Sequence, residues 1–218
     1  MNQVQRDTLF AALPPNRVGH FKLYYYTAVL HLLQQVVQSF GSRDDAFEQF
    51  PFLVGYYNEL AAQGFDWQTQ PEAGHRWRSV LLAWEEAIPE HLPLRAIGQA
   101  ADLDYSMLTL LLTIGLVEED ARFGLIFEAL QGTPGQHRPT LGLLNAWWRE
   151  PVDGGEVRST LLRLQELGLV QLINPQAPRI EWVLQIPGPL WDAMRGDTRV
   201  AIVRNIDYKL PEDLPLYE

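Results

Sequence analysis

Apolar positions along the chain recur mainly with a helical period. In residues 20–40, Phe21, Tyr24, Tyr25, Ala28, Leu32, Val36 and Phe40 keep spacings close to three and four, and Val29, Leu33 and Val37 broaden the face. This pattern predicts a long helix, nearly buried around its middle, that Gly41 ends. Ser42 is placed to cap a following helix, whose first turn carries Asp44 and Asp45 at the positive end of the dipole. That helix bends or restarts at Pro51 and runs to about Gly64. Before the long helix, residues 3–13 predict a short amphipathic helix with Val4, Leu9, Phe10 and Leu13 as its apolar positions, stopped by Pro14, Pro15 and Asn16. Residues 65–75 read as a loop. A helix over 76–87 follows, with Trp77, Val80, Leu81 and Trp84 inward. The proline-containing run 88–93 is a second break and is taken as a domain boundary.

The second half predicts a short helix over 94–102, then a longer one over 107–117 capped by Asp104 or Ser106. A third covers 121–131, with Phe123, Ile126, Phe127 and Leu130 inward. After a turn at 132–135, residues 140–150 read as helical and contain Trp147 and Trp148. Val157, Leu161, Leu164 and Gly168 then share one helix face, Leu162 and Leu167 widen it, and Arg158, Ser159, Arg163 and Glu166 lie largely off it. Gly168 ends this helix. Residues 170–173 are β-rich, and 174–178 carry two prolines that cannot continue a ladder. Ile180, Trp182, Leu184 and Ile186 alternate with Glu181, Val183 and Gln185, which predicts a half-buried strand. Helix, strand, turn and strand in this order are the outline of a winged helix. The chain thus reads as mostly α: a helical domain over 1–90, then a winged-helix domain over 94–196 with a small β-hairpin wing. A final helical turn or two over 190–195 and a linker or tail over 197–218 complete it. Residues 200–208 read as one more strand or as extended linker.

Composition and charge narrow the chemistry. The chain has 218 residues and a formal net charge of −10, with Lys22 and Lys209 as its lysines and no cysteine. Disulfides and thiolate metal sites are excluded. A chain this acidic repels phosphate backbones and anionic membranes. There is no phosphate-binding loop and no Gly-x-Ser-x-Gly elbow, and none of the five histidines has the spacing of a zinc helix. The run from Ile114 to Glu119 superficially resembles a magnesium-holding apolar strand with an acidic pair, but reads as a helix end. His31 reads as a core residue and Glu85-Glu86 as a solvated helix face. No catalytic residue, metal or cofactor is expected. The first ten residues lack the blocks of a signal peptide and the apolar runs fall short of a membrane span, so a cytoplasmic location is expected. Trp147 and Trp148 are about 100° apart on a helix, so one ring meets something beyond the helix's own core face; the wing or the first domain is the favoured neighbour.

In winged helices that bind DNA, the helix before the wing enters the major groove. Here that helix offers Arg158, Ser159, Arg163 and Gln165 beside Glu156 and Glu166, and the wing offers Arg179 beside Glu181. The basic footprint that phosphates need is missing, so a protein partner is preferred over nucleic acid.

Residues 94–196 carry a likeness that goes further. Leu108 to Leu112, the acidic step Glu118-Glu119-Asp120, Phe123 with Ala129-Leu130-Gln131, and the run Arg138-Pro139-Thr140-Leu141-Gly142-Leu143 resemble the winged-helix region that precedes the ATPase module in a group of bacterial AAA+ ATPases. Residues 161–170, 179–186 and 190–196 resemble its later helix, strand pair and terminal helix. Met107 departs from the pattern, near where the family usually has a charged residue. The resemblance covers about the second half of the chain and does not extend to residues 1–90. ATPases of this group often accompany contractile injection systems. The resemblance implies a non-catalytic recognition or assembly region, with a protein or an AAA+ ATPase module as partner, and with Arg138, Trp148, Arg158 and Arg163 on contact surfaces. The alternatives are an acidic winged-helix regulator that binds DNA, or a stand-alone adaptor. The oligomeric state is not read from the sequence.

Overall fold

The computed structural model describes residue 10 and residues 13–65, 72–148 and 157–196. The expected helix over 3–13 lies outside these apart from Phe10 and Leu13, both buried, and the expected tail over 197–218 lies outside them entirely. The described chain is mostly helical, with one small antiparallel sheet.

Helix α1, Arg17–Phe40, is the central rod. Its start is fixed by Asn16, whose side chain accepts from the N–H groups of Val18 and Gly19, so the helix begins ahead of its apolar stripe. From Gly19 to Leu33 it is buried nearly all round. Gly41 closes it with a φ of 90°, and Ser42 caps α2, Arg43–Gln49, by accepting from the Asp45 N–H. The chain restarts after Pro51 as α3, Leu53–Ala62. Helix α4, Glu72–Glu86, begins four residues earlier than its stripe suggests. Glu72 and Ala73 are good helix formers, and the glycine at 74 costs a helix only about 1 kcal/mol, too little to stop it.

Helix α5, Pro93–Ala101, has proline in its first turn, where the missing N–H removes no bond. Helix α6, Tyr105–Glu119, is capped by Asp104, which accepts from the Met107 N–H at 2.7 Å. It is buried around its whole circumference from Leu108 to Leu116, with α1 packed along it, and the hydroxyls of Thr109 and Thr113 donate to backbone carbonyls one turn back. Buried side chains from both sides of the break at 88–93 therefore form one continuous core. Helix α7, Phe123–Gln131, and helix α8, Leu141–Trp147, follow, the latter capped by Thr140.

Helix α9, Val157–Glu166, buries Val157, Thr160, Leu161 and Leu164. Strands β1, Gln171–Leu172, and β2, Leu184–Gln185, pair antiparallel with Gln171 opposite Gln185. The long strand expected over 180–186 is cut to its end. Residues Arg179–Glu181 form a 3-10 turn and Ile180 is 64% exposed. Pro178 cannot donate to a ladder, and the turn is held instead by Asn174, whose side chain donates to the Glu181 carbonyl and accepts from the Val183 N–H. The half-buried alternation also fails at Val183, which is buried. A third segment runs beside it: Thr140 bridges to Val183, Leu184 N–H donates to the Pro139 carbonyl, and Leu141 N–H donates to the Trp182 carbonyl. Helix α10, Gly188–Arg195, ends at Gly196 and docks Trp191 against α6 and α1.

Candidate functional site

Three consecutive tyrosines on α1 turn their hydroxyls to two neighbouring helices, α4 and α3. Tyr24 donates to Glu85 on α4 at 2.9 Å, and Tyr26 donates to Glu59 on α3 at 2.8 Å. Tyr25 meets the Tyr56 hydroxyl at 2.9 Å, and Tyr56 in turn donates to Asp120 at the end of α6. Burial, followed by these carboxylate and hydroxyl neighbours, pushes the hydroxyls of Tyr24, Tyr25 and Tyr26 far above the ordinary tyrosine range. Tyr56, raised first by burial, is pushed up to about 12. All four remain protonated donors through the physiological range.

The cluster around Glu85 is the most enclosed. His20 is fully buried, and its Nε2 lies 3.1 Å from the same Glu85 oxygen that accepts from Tyr24. A carboxylate only accepts, so His20 carries its proton on Nε2; its Nδ1 is buried without a partner among the described residues. The ring stacks parallel to Trp84 at 6.1 Å. Burial pushes the Glu85 carboxyl up, but the His20 and Tyr24 hydrogen bonds and the Arg95 charge together outweigh it and hold the group below the usual range. Arg95 also closes the end of α4 by donating to the carbonyls of Glu85, Ile88 and Glu90. The expectation that Glu85 and Glu86 form one solvated face is thus corrected: Glu86 is exposed, whereas Glu85 turns inward. The signal was available, because Glu85 stands four residues after Leu81 and eight after Trp77, on the inward face of α4, and His20 stands four before Tyr24.

The acidic step at the end of α6 is a second hub. Glu118 pairs with Arg138, Glu119 accepts from the Trp191 indole at 3.2 Å and lies 3.5 Å from Arg195, and Asp120 takes Arg122 and Tyr56. The Arg122 hydrogen bond, against some burial, holds Asp120 below its usual range.

Both depressed carboxyls make stability depend on acid. A carboxyl held lower in the folded state contributes fully above its unfolded value, here 4.5 for Glu85 and 3.8 for Asp120, and loses that contribution as pH falls through the folded value. The urea midpoint is therefore expected to stay level between about pH 7 and pH 5 and to fall below that. Glu85→Gln is expected to begin lower at pH 7 and to lose less on acidification. An equal acid slope in both proteins would show that Glu85 is not the titrating group.

The four residues read from sequence as contact positions lie in different settings. Arg138 is paired with Glu118, and its carbonyl accepts from the side chains of Gln131 and Gln136. Trp148 is buried and stacks on His31 of α1 at 5.1 Å, edge-on to Trp147. Arg158 is exposed on α9. Arg163, on the same helix, donates to the Ala101 carbonyl at 2.8 Å and lies 3.5 Å from Asp102. The structure does not gather the four into one cluster by any contact among them. Among the described residues no three His, Asp or Glu side chains converge as a metal site, and no single helix is long and apolar enough to cross a membrane. Comparison with family models, with curated proteins and with solved structures finds no match for this chain.

Proposed function

We propose that this chain is a non-catalytic recognition or assembly region of an AAA+ ATPase and that its partner is a protein. In this reading residues 123–186 form a winged-helix arrangement: α7, the segment at Thr140, α8, α9, β1 and β2, with the bridge between Thr140 and Val183 supplying the third strand position. The ATPase assignment rests on the run from Arg138 to Leu143. Each part of that run has a place: Arg138 pairs with α6, Thr140 caps α8 and donates its N–H to Gln131, and Gly142 lies against Ile180 with no room for a Cβ.

The observation that favours a protein over nucleic acid is where the cations of this half go. Arg163 is held by the end of α5, Arg138 by Glu118, and Arg179 lies over the Trp182 ring at 5.5 Å. Phosphate binding needs cations free to replace counterions, and these are engaged with their own chain, which carries a net charge of −10. Arg158 remains exposed on the helix that would face a partner.

A photo-cross-linking amino acid at Arg158, introduced in the native cells, tests this. The expected product is an adduct whose peptides belong to an AAA+ ATPase module, on this chain or on another. ATP hydrolysis by the purified chain, or salt-steep duplex binding lost on Arg158→Ala, would overturn the proposal.

A further inference from the structure

The small sheet has one open edge. Ile173 N–H donates to the Val183 carbonyl at 3.0 Å, so these two continue the ladder of β1 and β2 as a hydrogen-bonded pair. In an antiparallel ladder bonded and non-bonded pairs alternate, which makes the neighbouring pair, Leu172 and Leu184, a non-bonded one. The backbone groups of these two residues therefore point away from each other. On the far side of Leu184 a partner is present: its N–H donates at 3.0 Å to the Pro139 carbonyl of the segment that bridges at Thr140. On the far side of Leu172 no strand follows among the described residues, and its N–H and carbonyl have no hydrogen-bond partner there.

Sheet edges are commonly guarded by lysine, by proline or by an inward-pointing charge. Gln171, Leu172 and Ile173 supply none of these, and the Ile173 side chain is 51% exposed. The one guard is brevity, since Pro175 stops the strand, and a contact made here is weak. No residue from Leu167 to Pro178 is charged, and the nearest charges on either side are of mixed sign, Arg163 with Glu166 and Arg179 with Glu181. A chain of net charge −10 repels its own copies. This uncharged edge lets two copies meet without opposing like charges. An antiparallel edge is also complementary to itself: about a two-fold axis at Leu172, its N–H faces the same carbonyl of the second copy and receives the reciprocal bond.

We propose that β1 pairs edge to edge with β1 of a second copy of this chain, forming a weak two-fold dimer whose sheet runs through both copies. The pairing does not depend on the ATPase reading.

Sedimentation equilibrium of the full chain tests it. The average mass is expected to rise from 24.9 kDa toward twice that value between about 10 μM and about 1 mM, the span of a weak association. Added salt is expected to strengthen the dimer, because it screens the repulsion between acidic copies and the contact itself is uncharged. Ile173→Lys restores a lysine guard and sets like charges diagonally across the axis, so it is expected to hold the mass at the monomer value. Should that variant fail to fold, amide exchange in the unaltered chain reads the same contact. The Leu172 amide is expected to slow about fourfold where three-quarters of the chains are paired, because only the unpaired quarter exchanges. The Ile173 amide, bonded inside the sheet, is expected to keep its rate. A monomer at every concentration, a dimer that salt weakens or that folded Ile173→Lys leaves intact, or a Leu172 amide whose exchange ignores concentration would each overturn the proposal. A Leu172 amide already protected in the dilute monomer would do so too, by showing that another part of the chain covers the edge.

Discussion

Trp77→Ala is expected to lower the unfolding free energy by about 3–5 kcal/mol, the range for deleting a fully buried large aromatic. Trp77 is 1% exposed and is the largest side chain that α4 buries fully. Phe10 meets its ring edge-on at 4.5 Å and Phe65 at 5.8 Å. Its indole N–H donates at 3.0 Å to the Thr27 hydroxyl, which is itself tied to the Leu23 carbonyl one turn back along α1. Alanine removes the ring and the donor together, and the cavity lies between elements that cannot close without shifting α4 along α1. Trp77→Phe separates the two contributions. It keeps most of the ring, and Thr27 keeps its bond to Leu23, so the loss is expected to be about 1–2 kcal/mol. Urea denaturation followed by far-ultraviolet circular dichroism measures both. A loss under about 1 kcal/mol for Trp77→Ala would mean that α4 does not pack on α1 through this ring.

Gly115→Ala is expected to destabilise by about 1–3 kcal/mol or more, although alanine is the better helix former by about 1 kcal/mol. A Cβ at this position would stand 2.2 Å from one carbon of the Trp191 ring and 2.6 Å from a second. Trp191 cannot easily retreat. Its indole donates to Glu119 and its ring meets Phe21 edge-on at 5.2 Å, so it is held between α6 and α1. The two positions are therefore coupled, and coupling is separable from simple damage. Trp191→Leu alone leaves a cavity. Combined with Gly115→Ala, the smaller side chain leaves room for the added methyl, so the double variant is expected to be more stable than the sum of the single losses by about 1 kcal/mol. Strict additivity would place Trp191 elsewhere than on Gly115.

The helices were legible wherever their apolar stripe was long and their ends carried local chemistry. Gly41, Ser42 and Asp104 act through bonds to residues within a few positions, so their roles follow from the sequence alone. The strand over 180–186 was read too long because alternation describes a strand with one covered face. Val183 has a second neighbour, the segment at Thr140, which comes from 43 residues earlier in the chain. The polar clusters were legible only in part. Helical spacing already places Glu85 and His20 inward, yet nothing local says that they face each other, because they are 65 residues apart. The acidic step after α6 read as a separator between helices. In the folded chain its three carboxylates meet Arg138, Trp191 with Arg195, and Arg122 with Tyr56.

What the sequence by itself determined is therefore most of the described helices and the ends at Gly41 and Ser42, and the absence of a basic face. Periodicity, capping and charge are properties of short windows or of simple sums. What only the tertiary structure decided is which helices share a core and which polar groups meet inside it. Helix α6 has no charged or exposed side over Leu108 to Leu116, so its own pattern cannot say what covers each face. The answer lies in α1, some eighty residues away, which packs along it, and that pairing is settled only when the chain closes on itself.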